Sequence, residues 1–136
     1  MKYTFTKEDF DVFTHDTLEK TMSELKKHAR VKLENLGEYF SDYLTEMTDD
    51  THFTHVAQHA RRKVNPPIDS WVAFSTNKRG YKMLPHFQIG LFKDHAFCQY
   101  GIIYEAPSKA YMADRLINQI DDILNLGDGY FITKII

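Results

Sequence analysis

The sequence predicts an α+β fold: a mainly antiparallel sheet with a central hairpin, packed on one face by a long N-terminal helix and a C-terminal helix. Three observations carry this reading. Apolar residues recur at a helical step from Leu18 to Met47. Two strand-like runs, His86 to Phe92 and His95 to Glu105, flank a two-residue turn at Lys93-Asp94. Helical and strand segments are also segregated along the chain rather than interleaved, which favours antiparallel pairing over a parallel sheet. With 136 residues, 43% hydrophobic and 14% aromatic, the chain fits one domain, 1–136, and buries a core without disulfides or metal.

Residues 3 to 13 place Tyr3, Phe5, Phe10 and Phe13 among charged residues, and read as a strand or arm followed by a turn. Asp16 with Glu19 three residues on has the form of a capping box. From there Leu18, Met22, Leu25, Ala29, Leu33, Leu36, Phe40, Leu44 and Met47 form one amphipathic stripe. It is a single helix, or two broken near Gly37. The segment His52 to Arg62 reads as a short helix stopped by Asn65-Pro66-Pro67. Trp71 to Ser75 reads as a strand, and Asn77-Lys78-Arg79-Gly80 has turn chemistry. After the hairpin, Ser108 caps a helix that buries Met112, Leu116, Ile120, Ile123 and Leu124 and stops at Gly127. Tyr130 to Ile136 reads as a last strand that ends while still apolar, an ending that suggests continuation.

A turn at Lys93-Asp94 pairs Leu91 with Ala96, Ile89 with Cys98, Gln88 with Gln99, Phe87 with Tyr100 and His86 with Gly101. Side chains alternate across a strand, so this register sorts them onto two faces. Phe87, Ile89, Leu91, Cys98, Tyr100, Ile102 and Tyr104 form a core face. His86, Gln88, Gly90, Gln99, Gly101 and Glu105 form the other, where the two glycines open a shallow floor unless they mark bulges.

Charge is unevenly spread. Thr51 to Lys93 holds seven basic residues against the single acid Asp69, whereas the whole chain carries −2. A local surplus of that sign points to an anionic partner; the alternative is a solvated loop paired with acidic helices elsewhere. The expected ligand-binding residues are Arg61, Arg62, Lys78, Arg79 and Lys82 for phosphate, with His86, Gln88 and Gln99 reading polar groups. Trp71, Tyr81 and Phe87 offer a stacking surface for a base, although Trp71 alone reads as core. The candidates for proton transfer are His86 and Glu105. His52, His55 and His59 have metal-like spacing on a helix, but neighbouring Arg61, Arg62 and Lys63 repel a dication, so no metal is assigned. Cys98 falls on the core face, where a thiol is inert. The loop lacks the Walker and dinucleotide patterns, and no cofactor is implied.

The stretches LGEYFSDYL (36–44), HVAQHARRKVNPP (55–67), WVAFSTNKRGYKMLPHFQIGLF (71–92) and GIIYEA (101–106) resemble the YktB-like family of uncharacterised bacterial proteins, a domain of unknown function. The resemblance implies a soluble, cytoplasmic domain whose relatives are longer at the C-terminus. This chain would then be a shortened member, with part of any site outside it, and no catalytic residue carries over. Composition agrees on location: no secretory signal is visible, no run approaches the ~18 apolar residues of a membrane span, and one cysteine suits a reducing compartment. The expected function is binding of a phosphate-bearing ligand, a nucleotide or nucleic acid, through the basic loop and the glycine-bearing sheet face. The alternatives are an enzyme acting on a small anion through His86 and Glu105, and a protein-interaction module.

Overall fold

The computed structural model describes residues 4–132. The chain opens with helix α1 (Lys7–Asp11) and a 3-10 turn (Val12–Thr14), followed by α2 (Leu18–Lys27) and α3 (Ala29–Thr48). Four strands follow: β1 (Phe53–Val56), β2 (Asp69–Ser75), β3 (His86–Phe92) and β4 (Ala96–Gly101). Helices α4 (Lys109–Asn118) and α5 (Ile120–Leu124) close the order. The strands form one antiparallel sheet in the order β1-β2-β3-β4, so the expected α+β class holds.

The N-terminal arm is helical rather than extended. Asp9, buried to 1% exposure, accepts from the Thr6 amide at 2.7 Å and its hydroxyl at 3.2 Å. Lys32 on α3 reaches the same carboxylate at 2.5 Å, tying the arm to the body. The next cap is Thr17 rather than Asp16, because the Thr17 hydroxyl accepts from the Lys20 amide at 3.2 Å.

The long apolar stripe is two helices, and the break falls at His28 rather than at Gly37. His28 leaves helical geometry, with φ −111° and ψ −71°, and lets Leu25 and Ala29 both bury against Val12 and Leu91. Gly37 stays inside α3 for a packing reason. A Cβ there would stand 3.1 Å from the Thr54 methyl and 3.2 Å from a Val72 methyl, so glycine brings α3 down onto β1 and β2. Beside it, Leu33, Leu44, Val72 and Phe74 form the second core cluster.

The segment expected as a helix from His52 instead opens strand β1. Thr45 on α3 accepts from the His52 amide at 2.9 Å, Ser41 donates to the His52 carbonyl, and Phe53–Val56 then pairs with Ser75–Val72. The hairpin is the expected one in every pair: His86 to Leu91 opposes Gly101 to Ala96, closed by Phe92 N–H to the His95 carbonyl at 2.8 Å. The second strand is shorter than expected, ending at Gly101.

Helices cover the core face over β1 to β3 and leave β4 bare. Leu91 is buried, whereas Cys98, Tyr100 and Tyr104 are exposed, so the thiol expected in the core lies at the surface. The C-terminal helix forms but is interrupted at Gln119, and none of its residues is buried. Ser108 spends its hydroxyl on the Met83 carbonyl at 3.1 Å instead of capping. Gly127 adopts the left-handed φ of +105° expected of a stop residue. Tyr130–Ile132 form no strand, and the remainder of the last expected strand, 133–136, lies outside the described residues, as does Tyr3. Among the described residues no helix is long and apolar enough to cross a membrane.

Candidate functional site

On the polar face, register aligns His55, Ala73, Gln88 and Gln99 in one row across all four strands. Ala73 keeps the middle of that row low, and the loop leaving β2 folds back over it. Ser75 starts the fold-back by accepting from the Asn77 amide at 3.1 Å and donating to the Gly80 carbonyl at 2.7 Å. The Asn77 side chain accepts from the Arg79 amide at 2.9 Å, a turn in which a side chain stands in for backbone. Tyr81 then lies down on the sheet, its hydroxyl accepting from Trp71 Nε1 at 3.2 Å. The tyrosine ring sits between two imidazoles, 5.9 Å from His55 and 4.9 Å from His86.

Both histidines hold loop carbonyls. His55 Nε2 meets the Asn77 carbonyl at 3.0 Å and His86 Nδ1 meets the Leu84 carbonyl at 2.8 Å. A carbonyl only accepts, so each of these nitrogens carries a hydrogen. With Nδ1 protonated, His86 Nε2 accepts from the Gln88 amide nitrogen at 3.0 Å, and Gln88 Oε1 accepts from Gln99 Nε2 at 3.0 Å. The result is one directed chain from Gln99 through Gln88 and His86 to Leu84. Burial holds His86 below the usual histidine range, against the opposing pull of the Leu84 carbonyl, and the neutral imidazole suits the chain.

Above this layer the loop leaves an open cleft of about 400 Å³ lined by His55, Asn77, Tyr81 and Met83, with Arg79 and Lys82. Its volume is that of a small-molecule site, and both cations are exposed. Among the described residues neither Arg79 nor Lys82 has an acidic partner. The surroundings are a tyrosine ring, the His55 imidazole and positive charge that no acidic side chain compensates among the described residues.

The expected residues are thus divided. Arg79 and Lys82 line the cleft, with Lys78 exposed in the same loop. Arg61 and Arg62 lie elsewhere: burial raises the pKa of Asp69, at the opposite end of β2 from Ser75, and it is the Arg62 guanidinium that opposes this rise. Six strand steps separate those ends, roughly 20 Å. His86 and Gln88 are buried and hold each other, while Gln99 remains exposed. Among the described residues Glu105 and His86 share neither a hydrogen bond nor an ion pair. The expected glycine floor is half paved, since a Cβ on Gly90 would stand 2.4 Å from the Phe97 ring, whereas Gly101 is open. Of the stacking residues, Trp71 and Tyr81 meet on this face and Phe87 packs on the other, 4.6 Å from Tyr100.

His55 was visible in the sequence only as part of a histidine triplet on a helix. As a strand it alternates onto the polar face, and strand pairing is the signal that would have placed it there. The triplet itself disperses. His52 bonds the Asp50 carbonyl, His55 faces the cleft, and His59 takes a left-handed φ of +54° beside Ser70. Among the described residues no group of three or more His, Cys, Asp or Glu is placed to hold a metal ion.

Comparison with known proteins follows the same outline. The family model described as "Domain of unknown function (DUF1054)" matches residues 5–134. A UPF0637 protein of Macrococcus caseolyticus is 62% identical over 133 residues, covering 98% of this chain and 65% of the relative. UPF0637 proteins of Bacillus mycoides and Bacillus cereus (strain B4264) are each 59% identical over 120 residues, covering 88% of this chain and 58% of the relative. The chain therefore spans about three-fifths of the length of these relatives.

Proposed function

The chain belongs to the DUF1054 family, and on that footing we propose that it is a binding domain for a phosphate-bearing ligand, a nucleotide or a nucleic-acid segment. One observation carries the reading: Arg79 and Lys82 line a single cleft with His55 and Tyr81 and have no acidic counterpart among the described residues. A guanidinium forks onto two phosphate oxygens and an ammonium adds a point charge, so the pair suits a terminal phosphate. Gly80 N–H donates to Asn77, which leaves the side chains rather than a ring of loop amides to hold the anion. Tyr81 is pinned by Trp71 and the two histidines, which supplies a rigid aromatic wall for a sugar or base.

His86, Gln88 and Gln99 act in this reading as the bed of the loop rather than as contacts. They hold the Leu84 carbonyl and so set where Tyr81 and Lys82 emerge. Arg61 and Arg62, at the far end of β2, add long-range field and no contact.

Titration calorimetry with adenosine monophosphate and with a short single-stranded oligonucleotide tests this. Binding is expected to weaken by about tenfold or more in the Arg79→Ala, Lys82→Ala double variant. It is also expected to weaken steeply with added salt if the oligonucleotide is the better ligand. Affinity unchanged by the double substitution, or absent for both probes, overturns the assignment.

A further inference from the structure

The buried polar atoms that find no partner among the described residues lie away from the cleft. They are the Thr21 hydroxyl and two nitrogens of one guanidinium, Nε and Nη2 of Arg30. Those two nitrogens form one edge of the planar group, the fork that matches the paired oxygens of a carboxylate or a phosphate. A charged donor edge shut off from water and left without an acceptor is strongly unfavourable, so its presence signals an acceptor that the described residues do not supply.

The surroundings point the same way. Strand β1 ends at Val56, and Ala57 makes the last link to β2, through the Trp71 carbonyl at 2.9 Å. The start of β2 is therefore left with an open margin, and there the chain turns through His59. Its Nε2 meets the Ser70 hydroxyl at 3.2 Å and its ring stands edge-on to Trp71 at 5.6 Å. Burial, with the charges of Arg62 and Arg30 acting in the same direction, brings His59 down to about 4, so both arginines lie within electrostatic reach of this imidazole. Among the described residues Arg62 has only the carbonyls of Asn65 and Pro66, each at 3.4 Å. Asp69, the acid close by, forms no ion pair with either arginine among the described residues.

We propose that the margin of β2 beside His59 is an oxyanion site, in which Arg30 presents its Nε–Nη2 fork to a phosphate or carboxylate group and Arg62 closes over it. The site is independent of the cleft at the loop end of the same strand. The fork is shut from solvent, so the exposed segment that carries Arg62 shifts to admit the anion. A free phosphate-bearing molecule and an acidic side chain from the further length of the longer relatives would present the same two oxygens.

The deciding experiment observes the arginine Nε–H resonances of the 15N-labelled chain while inorganic phosphate, and separately acetate, is added. The Arg30 resonance is expected to move and saturate. In Arg30→Lys, which keeps the charge and loses the fork, binding read at His59 is expected to weaken by about tenfold or more. The Arg79→Ala, Lys82→Ala variant is expected to respond like the unaltered chain, which separates this site from the cleft. The same measurement on the Macrococcus relative distinguishes the sources. A corresponding resonance already displaced and unmoved by either anion identifies a built-in carboxylate, and one that titrates identifies a free anion. An Arg30 resonance that neither anion shifts in this chain and that stands undisplaced in the relative overturns the proposal, as does undiminished binding in a folded Arg30→Lys.

Discussion

Asp9 is the clearest single-residue dependence in the fold, because a buried carboxylate there gathers the Thr6 amide, the Thr6 hydroxyl and the Lys32 ammonium. Asp9→Ala takes the side-chain acceptor from the Thr6 amide and leaves the Lys32 ammonium with the Thr4 carbonyl alone, and urea unfolding is expected to show a loss of about 3 kcal/mol. Two histidines act on stability through pH. Burial is the leading reason that both His59 and His86 lie below the usual histidine range, His59 at about 4. The unfolded chain therefore takes up more protons than the native one as pH falls below about 6.5, and native stability drops through that window. Asp69, raised by burial, works in the opposite sense near the acid end. Unfolding curves collected between neutral pH and about pH 4 are expected to show the decline, and His59→Gln is expected to flatten it. The burial of Asp9 and His86 and the half-burial of His59 and Asp69 were not legible, because a polar residue declares its type in the sequence and not its neighbours.

At the scale of elements, the hairpin was readable to the last pair because period-two alternation and a two-residue turn leave only one register. The same logic misjudged one of its glycines. Gly90 does not open a floor; it makes room for Phe97 and for the Ser70 backbone carbonyl, since an added Cβ would stand 2.4 Å from the ring and 2.6 Å from the carbonyl oxygen. Gly90→Ala is expected to destabilise by about 2 kcal/mol by denaturant midpoint, and Phe97→Ala is not expected to rescue it, since the carbonyl remains. Strand β1 and the break at His28 were not readable. The four residues of β1 are extended because α3 and β2 hold them, and His28 bends the chain so that Leu25 and Ala29 face one cluster. Both are set by partners distant in sequence, which local periodicity does not register.

Across the whole molecule, order and charge are both graded. The N-terminal helices and β1 to β3 contain both core clusters, whereas α4 and α5 contribute no buried residue. Amide hydrogen exchange is expected to reflect this, with α4 and α5 exchanging orders of magnitude faster than the centre of α3. The positive surplus seen in sequence as one island resolves into two groups at opposite ends of β2, a separation invisible until the strand lay between them. Between those ends runs the line of amides from Gln99 to the Leu84 carbonyl, and it has a sense, since every hydrogen in it points toward the loop. Glutamate at position 99 has no hydrogen to give, so Gln88 would rotate to donate outward and turn its oxygen on His86. The imidazole would then need a second hydrogen. Gln99→Glu, a change on the outermost strand, is thus expected to make His86 more basic, read as a higher midpoint in its NMR titration, and so to carry a message from the margin of the sheet to the ring beneath Tyr81.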